Sequence, residues 1–324
     1  MVYGLVAALG WGVSAVAATN AARRAGTYLA VLCGQGLGVV VLVVLAVALR
    51  PSFAGAGGAV ALSLAAAGLL GLLGYLAFYR ALEYGGAVGL VSAISATYGG
   101  VTTVLAVAVL GEHLGVAGAV GVALAVAGIA VAAARPAATP AAEGAGREGA
   151  APPDAAGESA LAPASVAVGE PIVGVAPAPS RIRSISRAGV PLAIICALAY
   201  GVGGFMLGKY SARAGWLTAA LIAHGASVTV MLMALPLLRR KMAWRGTASG
   251  VVWAAVAGLT DAVGLLAFSQ GGQAGQVAVT AAVSSVYPVI PLVGGVLLFG
   301  EHLNRRQLAG VVGIIAGLVL IGLG

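Results

Sequence analysis

Residues 111–114 have the sequence Gly-Glu-His-Leu, and the same four residues recur at 300–303. The offset of 189 residues that relates them also matches other positions along both halves without a gap. The matched pairs include Trp11 with Tyr200, Arg24 with Arg213, Gly26 with Gly215, Tyr79 with Phe268, Ser95 with Ser284, Tyr98 with Tyr287 and Gly121 with Gly310. A register kept along both halves predicts two copies of one structural unit.

The composition places both copies in a membrane. The chain has 324 residues, of which 61% are hydrophobic and 8% charged, whereas soluble domains have about 25% charged residues. A water-soluble enzyme is therefore excluded. The apolar runs continue for about 20 residues, the length of a membrane-spanning helix, and do not alternate as the strands of a membrane barrel do.

Ten such runs follow one another, five before and five after an interruption. They lie near 2–22, 27–49, 59–79, 87–110, 115–134, 190–208, 216–238, 248–268, 275–299 and 307–323. We therefore predict an all-α polytopic membrane protein with ten transmembrane helices. Because five is odd, the second copy enters the membrane from the opposite side, and the copies are predicted to be inverted repeats, an architecture of secondary transporters.

The interruption divides the chain into three regions. Residues 1–134 form the first five-helix repeat, 135–189 a linker rich in Ala and Pro, and 190–324 the second repeat. The linker holds eight of the 13 prolines and five of the nine acidic residues. Such a composition cannot bury a core, so the linker is predicted to be disordered.

The motifs resemble those of the drug/metabolite transporter superfamily, specifically its ten-span EamA-type members with two EamA repeats. The matching motifs are Trp11-Gly12, Tyr79-Arg80-Ala81-Leu82, Tyr287-Pro288-Val289, and the two Gly-Glu-His-Leu turns followed by Gly121 and Gly310. The resemblance implies a proton- or exchange-driven carrier of metabolites, amino acids or drugs, often an exporter. The first copy has Tyr98-Gly99 where the second has Tyr287-Pro288, which leaves open whether both copies bend alike.

Four acidic residues lie outside the linker, and one of them lies deep in a predicted span. Glu112 and Glu301 stand at helix starts, where a carboxylate faces the positive end of the helix dipole; we interpret them as structural turn residues, with gating or ion coupling as the alternative. Asp261 lies well inside the eighth span, where a carboxylate costs several kcal/mol unless it is protonated, paired or facing a wet cavity. We expect it to take part in coupling, with interhelical packing as the alternative.

Other polar and aromatic residues are candidates for lining a substrate cavity. His224, in the seventh span, is expected either to share a proton with Asp261 or to be a satisfied core histidine; its counterpart in the first copy is Gln35. The further candidates are Trp11, Tyr75, Tyr98, Tyr200, Gln270, Ser284 and Tyr287. Tyr98 and Tyr287 are favoured, because the resemblance implies that their helices face the central cavity.

These observations favour a secondary transporter that moves a small metabolite or amino-acid-like solute by alternating access and in the direction of export, and they leave proton coupling open. A multidrug or organic-cation efflux carrier is the main alternative, and a non-transporting scaffold a weaker one. An enzyme is not predicted, because HExxH and nucleotide-binding motifs are absent from the sequence. No cofactor, metal or nucleic acid is expected, and no feature assigns an oligomeric state. The predicted location is the plasma membrane.

The basic residues predict an orientation. Odd-numbered connections between spans hold fourteen of the 17 Lys and Arg residues, and even-numbered ones only Arg50, Lys209 and Arg213. The positive-inside rule therefore places the odd-numbered connections, including the linker, in the cytoplasm and both termini outside. The resemblance more often implies cytoplasmic termini, so the two arguments disagree.

Overall fold

The structure is a computed structural model that describes residues 1–83, 88–111, 115–133, 189–238, 248–300 and 303–323. All regular secondary structure in these ranges is helical. The first half contains α1 (Val2–Ala25), α2 (Thr27–Leu49), α3 (Gly58–Glu83), α4 (Val88–Ser95), α5 (Tyr98–Leu110) and α6 (Val116–Ala133). The second half contains α7 (Gly189–Ala214), α8 (Trp216–Leu238), α9 (Ala248–Gln273), α10 (Val277–Ser284), α11 (Val289–Phe299) and α12 (Arg305–Leu323).

Eight segments of the described chain are long and apolar enough to cross a membrane. They are α1, α2, α3, α7, α8, α9, and the two broken helices α4–α5 and α10–α11. The all-helical membrane class is thus confirmed, whereas the count of ten spans depends on α6 and α12. Within α6 the apolar stretch covers residues 116–128, and α12 begins with Arg305 and Arg306.

The helix boundaries follow the sequence offset. Both ends of α2 and α8 are 189 residues apart, and so are both ends of α4 and α10. Gly26 and Gly215 end the first helix of each half with φ of 80° and 83°, while Gly111 and Gly300 end α5 and α11 with φ of 71° and 60°. Side chains disfavour this left-handed backbone, which explains glycine at all four positions.

Both copies break the fourth apolar segment at the same point, although only the second has a proline there. In the first copy Gly99 N–H bonds Ala96 O at 3.2 Å, an i−3 bond instead of the α-helical i−4 bond. In the second, Tyr287 N–H bonds Ser284 O at 3.1 Å. The two breaks touch, because a Cβ added at Gly99 would overlap Ser285 Oγ. Equivalent bending therefore occurs without a proline in the first copy.

The main packing joins helices of opposite halves. The α1 and α9 helices run antiparallel: Ser14 near the middle of α1 donates to Ala257 O at 3.0 Å, and Arg24 at its end donates to Ser249 near the start of α9 at 2.9 Å. The equivalent helices α6 and α12 are also antiparallel, since Gly121 packs on Gly317 and Gly128 on Gly310. A Cβ at Gly128 would lie 2.7 Å from Gly310 O, so glycine permits backbone contact there.

The helix ends gather into two opposite faces. At one face Arg23, at the end of α1, lies 4.6 Å from the ring centroid of Phe299, at the end of α11. At the other, Trp216 N–H donates to Gln273 Oε1 at 2.8 Å, and Thr218 donates to Ser52 O at 3.2 Å. The helix ends described at the first face thus adjoin odd-numbered connections, and those at the second adjoin even-numbered ones.

Candidate functional site

A central cavity of about 140 Å³ lies between α1, α3, α7, α8 and α9. The two broken helices add Tyr98 and Tyr287 to its wall. Most of the wall is aromatic or small. The aromatic members are Trp11, Tyr75, Phe78, Tyr79, Tyr98, Tyr200, Phe268 and Tyr287. The ionisable groups that lie among them, apart from the tyrosines, are Asp261 and His224.

Asp261 lies at the middle of α9 and is 5% exposed. Its Oδ2 atom is buried and has no hydrogen-bond partner among the described residues. The indole of Trp11 and the hydroxyl of Tyr75 face this carboxyl from α1 and α3. The site therefore brings two neighbouring helices to the carboxyl group on α9, and one of its oxygens accepts no hydrogen bond from the described residues.

His224 approaches the same carboxyl from α8. Its Nε2 is 3.8 Å from Asp261 Oδ2, too far for a hydrogen bond but close enough for a charge interaction when the imidazole is protonated and the carboxyl ionised. Nε2 has no hydrogen-bond partner in the described chain. A Cβ at Gly38 would lie 2.8 Å from this atom, so glycine in α2 provides the space for the imidazole.

Gln35 on α2 is a third buried polar residue beside Asp261 and His224, and the three are called the polar cluster. The Oε1 of Gln35 lacks a hydrogen-bond partner within the described residues, and the Gln35 side chain interacts with the Tyr75 hydroxyl. Gln35 is also the offset counterpart of His224. The two copies thus place equivalent residues near one another at the centre of the molecule.

Four rings of the wall form a continuous array. Trp11 contacts Tyr98 edge-to-face with ring centroids 5.9 Å apart, and Tyr98 contacts Tyr200 at 6.4 Å. Tyr200 in turn contacts Tyr75 at 5.5 Å. The edge-to-face arrangement of two aromatic rings is electrostatically favourable, so these contacts hold the rings in a defined arrangement. The cavity is therefore bounded by ordered aromatic side chains from both halves.

The tyrosines at the helix breaks connect the two copies. The Tyr98 hydroxyl bonds Ser284 Oγ at 2.6 Å, and Ser284 donates to Ala281 O at 3.0 Å. The Tyr287 hydroxyl donates to Ser92 O at 3.1 Å. Each break is thereby anchored to the broken helix of the opposite copy.

The candidates predicted from the sequence differ in their position relative to the cavity. Those that meet at the cavity are Asp261, His224, Trp11, Tyr75, Tyr98, Tyr200 and Tyr287. Ser284 lies behind the wall and holds Tyr98, while Gln270 is half-buried and does not belong to the lining. Glu112 and Glu301 lie outside the described residues. Contact with a substrate stays a prediction for every candidate.

Several lining residues were not predicted as site residues. Phe268 and Tyr79 belong to the wall. Their match at the 189-residue offset is the feature of the sequence that could have identified them as site residues. Ser14 and Ser227 also line it, and both hydroxyls donate to backbone carbonyls of other helices. No group of His, Cys, Asp and Glu able to hold a metal ion occurs in the described ranges.

The comparisons with known proteins agree with this architecture. One solved structure, titled "Crystal structure of protein", is 15% identical with a TM-score of 0.64, covering 99% of this chain and 96% of that chain; at this identity the likeness concerns the fold alone. No match was found among curated proteins. The model of the EamA-like transporter family matches residues 1–134 and 187–323. These matches cover most of the chain, and it belongs to the EamA-like transporter family.

Proposed function

We propose that this protein is a secondary transporter of the plasma membrane that exports a small solute by alternating access, with Asp261 as the proton-coupling group. The observation that carries the proposal is the unpartnered Oδ2 of Asp261 in a cavity between the two halves. A carboxyl group at membrane depth is costly and is kept chiefly where it faces a partner or a pathway.

The packing of the two copies supports alternating access. Equivalent helices α6 and α12 run antiparallel, as expected if the copies are inverted repeats with five spans each. The cavity is lined by both copies, and inverted-repeat transporters bind their substrate at such an interface near the midplane. Rocking of one copy against the other would expose the cavity to each side of the membrane in turn.

The immediate surroundings of Asp261 support proton exchange. A protonated Asp261 is neutral and compatible with an apolar wall, whereas the ionised form needs a positive partner. His224, 3.8 Å away, supplies such a partner when it is protonated. The carboxyl can therefore gain and lose a proton while the cavity faces either side.

Asp261→Asn provides the test. Wild-type and variant protein are reconstituted in liposomes, and a panel of radiolabelled amino acids, amines and other metabolites is screened for flux with and without an imposed pH gradient. We expect wild type to move at least one solute against its gradient. Asn keeps the shape of Asp but cannot exchange a proton, so Asp261→Asn should fold and lose gradient-driven flux.

His224→Gln gives a second readout. If the imidazole interacts with Asp261 during turnover, this variant shifts the pH optimum of flux and does not merely lower the rate. Gradient-driven flux at the wild-type level in Asp261→Asn would show that Asp261 does not take part in proton coupling. A non-transporting scaffold would instead show no flux of any solute in wild type and would tolerate the loss of Asp261.

A further inference from the structure

We propose that the cavity takes a solute carrying a protonated amine, with the ammonium group bound by Asp261 against the aromatic wall. This inference rests on the proposed transport function and names the substrate class of the same site. It follows from the charges of the wall, the free carboxylate oxygen and the way in which the rings are held.

The charges of the wall favour a cation. Asp261 is the acidic residue of the lining, and neither Lys nor Arg contributes to it in the described part of the chain. Lys209 lies outside the wall, with its amine 5.8 and 5.6 Å from the ring centroids of Phe205 and Tyr210. A carboxylate or phosphate of a solute would be buried here without a cationic partner other than a protonated His224, and an unpaired buried charge is strongly unfavourable.

The free oxygen offers a specific contact. Trp11 and Tyr75 face the Asp261 carboxyl, yet Oδ2 accepts no hydrogen bond within the described ranges. An ammonium group has up to three donors and no acceptor, so it complements a carboxylate oxygen that lacks a donor. Hydrogen bonds between such charged groups are about twice as strong as neutral ones.

The rings supply the remaining contacts of an ammonium group. Trp11, Tyr98 and Tyr200 line the cavity, and cations within about 6 Å of such ring faces are attracted by the ring quadrupole. Glycines on opposing helices fix two of these rings. A Cβ at Gly264 would lie 2.7 Å from Trp11 Nε1, and one at Gly74 would overlap Tyr200. A wall held in this way loses little freedom on binding.

One carboxyl group shared by a proton and an ammonium ion makes their binding mutually exclusive. The titratable groups that face Asp261 are His224 on α8, Tyr75 and Tyr79 on α3, and Tyr200 on α7; Trp11 on α1 and Gln35 on α2 carry no titratable group. Protonation of the carboxyl releases the amine, and ionisation admits it. The expected cycle therefore exchanges one proton for one ammonium ion.

The test uses three probes of similar size that differ in charge: benzylamine, benzyl alcohol and benzoate. Binding to the full-length protein in detergent at pH 8 is measured by titration of its thermal stability, since a ligand of the folded state raises the unfolding midpoint. We expect benzylamine to bind at least about tenfold more tightly than either other probe, in line with a charged hydrogen bond. Equal or tighter binding of benzyl alcohol or benzoate would overturn the inference.

Two controls keep the test decisive. Asp261→Asn should lose the preference for benzylamine, whereas Gly36→Ala, at a helical position with nothing within 4 Å of an added Cβ, should keep it. If Asp261→Asn does not fold, the pH dependence of binding to the wild type provides the test. Benzylamine stays charged from pH 8 to pH 4, so its affinity should fall as the pH is lowered and the Asp261 carboxyl is protonated. The affinity of benzyl alcohol should stay constant. A benzylamine affinity that is independent of pH would contradict the proposal.

The two proposals can fail separately. Amine-selective binding without gradient-driven flux of any solute would leave this inference intact and remove the transport function. Gradient-driven flux together with a preference for benzyl alcohol or benzoate would do the reverse.

Discussion

At the residue scale, the position of Asp261 depends on glycines that bring neighbouring helices into contact. A Cβ at Gly258, one turn before Asp261, would overlap Gly34 O of α2. A Cβ at Gly264, one turn after Asp261, would lie 2.7 Å from Trp11 Nε1. Because α2 carries Gln35 and Gly38, the contact between Gly258 and α2 also sets the distances within the polar cluster. The chemistry of the site thus depends on residues that have no side chain.

Gly258→Ala tests this dependence. The added methyl group meets backbone on α2, which cannot rotate away, so we expect a loss of about 1–3 kcal/mol in stability and a lower flux. Gly36→Ala is the matched control in α2, where the extra methyl group meets nothing within 4 Å and alanine favours the helix by about 1 kcal/mol. Similar unfolding midpoints in detergent for both variants would contradict the close contact.

At the scale of elements, the two helix breaks add side-chain hydrogen bonds between the halves to the packing of the long helices. Each carries a tyrosine that bonds the opposite broken helix. The first break forms with Gly99 and the second with Pro288, so the break does not require the ring of a proline. Because the two breaks touch, we expect their packing against each other to maintain them.

Pro288→Ala should therefore preserve the break. The new backbone N–H can bond Ser285 O in the i−3 pattern that Gly99 already shows, so we expect an unfolding midpoint and a flux close to those of wild type. Gly99→Val is the contrasting variant, because its side chain would overlap Ser285 and force the breaks apart, at a cost of about 1–3 kcal/mol. A severe loss of flux in Pro288→Ala alone would show that the proline itself is needed.

At the scale of the whole molecule, the two faces differ in charge. Among the described residues, five arginines adjoin odd-numbered connections, namely Arg23, Arg24, Arg80, Arg305 and Arg306, while three basic residues adjoin even-numbered ones, namely Arg50, Lys209 and Arg213. The positive-inside rule therefore predicts a cytoplasmic location for the first face and for the linker.

Labelling of a single cysteine tests this orientation. Ala155→Cys is introduced in a background in which Cys33 and Cys196 are replaced by alanine. We expect an impermeant maleimide to leave this cysteine unmodified in intact cells and to modify it after permeabilisation. Rapid labelling in intact cells would place the linker outside and favour cytoplasmic termini.

The linker is expected to be dispensable for folding. The described helices end at Ala133 and resume at Gly189, and the family match leaves residues 135–186 uncovered. We predict that replacing residues 140–180 with about ten Gly and Ser residues, which span roughly 17 Å as a flexible chain, preserves membrane insertion and flux. Loss of membrane-inserted protein in this variant would contradict the prediction.

The sequence by itself determined the helical membrane class, the 189-residue offset and the place of a carboxyl group within the eighth apolar segment. Each of these depends on composition or on residue order along the chain. Long apolar runs specify helices because every backbone polar group must be satisfied within the bilayer. A repeated motif can be recognised from the order of residues alone, without knowledge of the fold.

Only the tertiary structure decided which side chains meet. Helices that are apolar all round carry little periodicity, so the sequence cannot tell which face is turned inward. Gln270 and Ser284 were predicted alongside Tyr98 but lie off the wall, whereas Phe268 belongs to it. The 3.8 Å approach of His224 to Asp261 depends on the close packing of α2, α8 and α9, contacts between distant parts of the chain that no local pattern encodes.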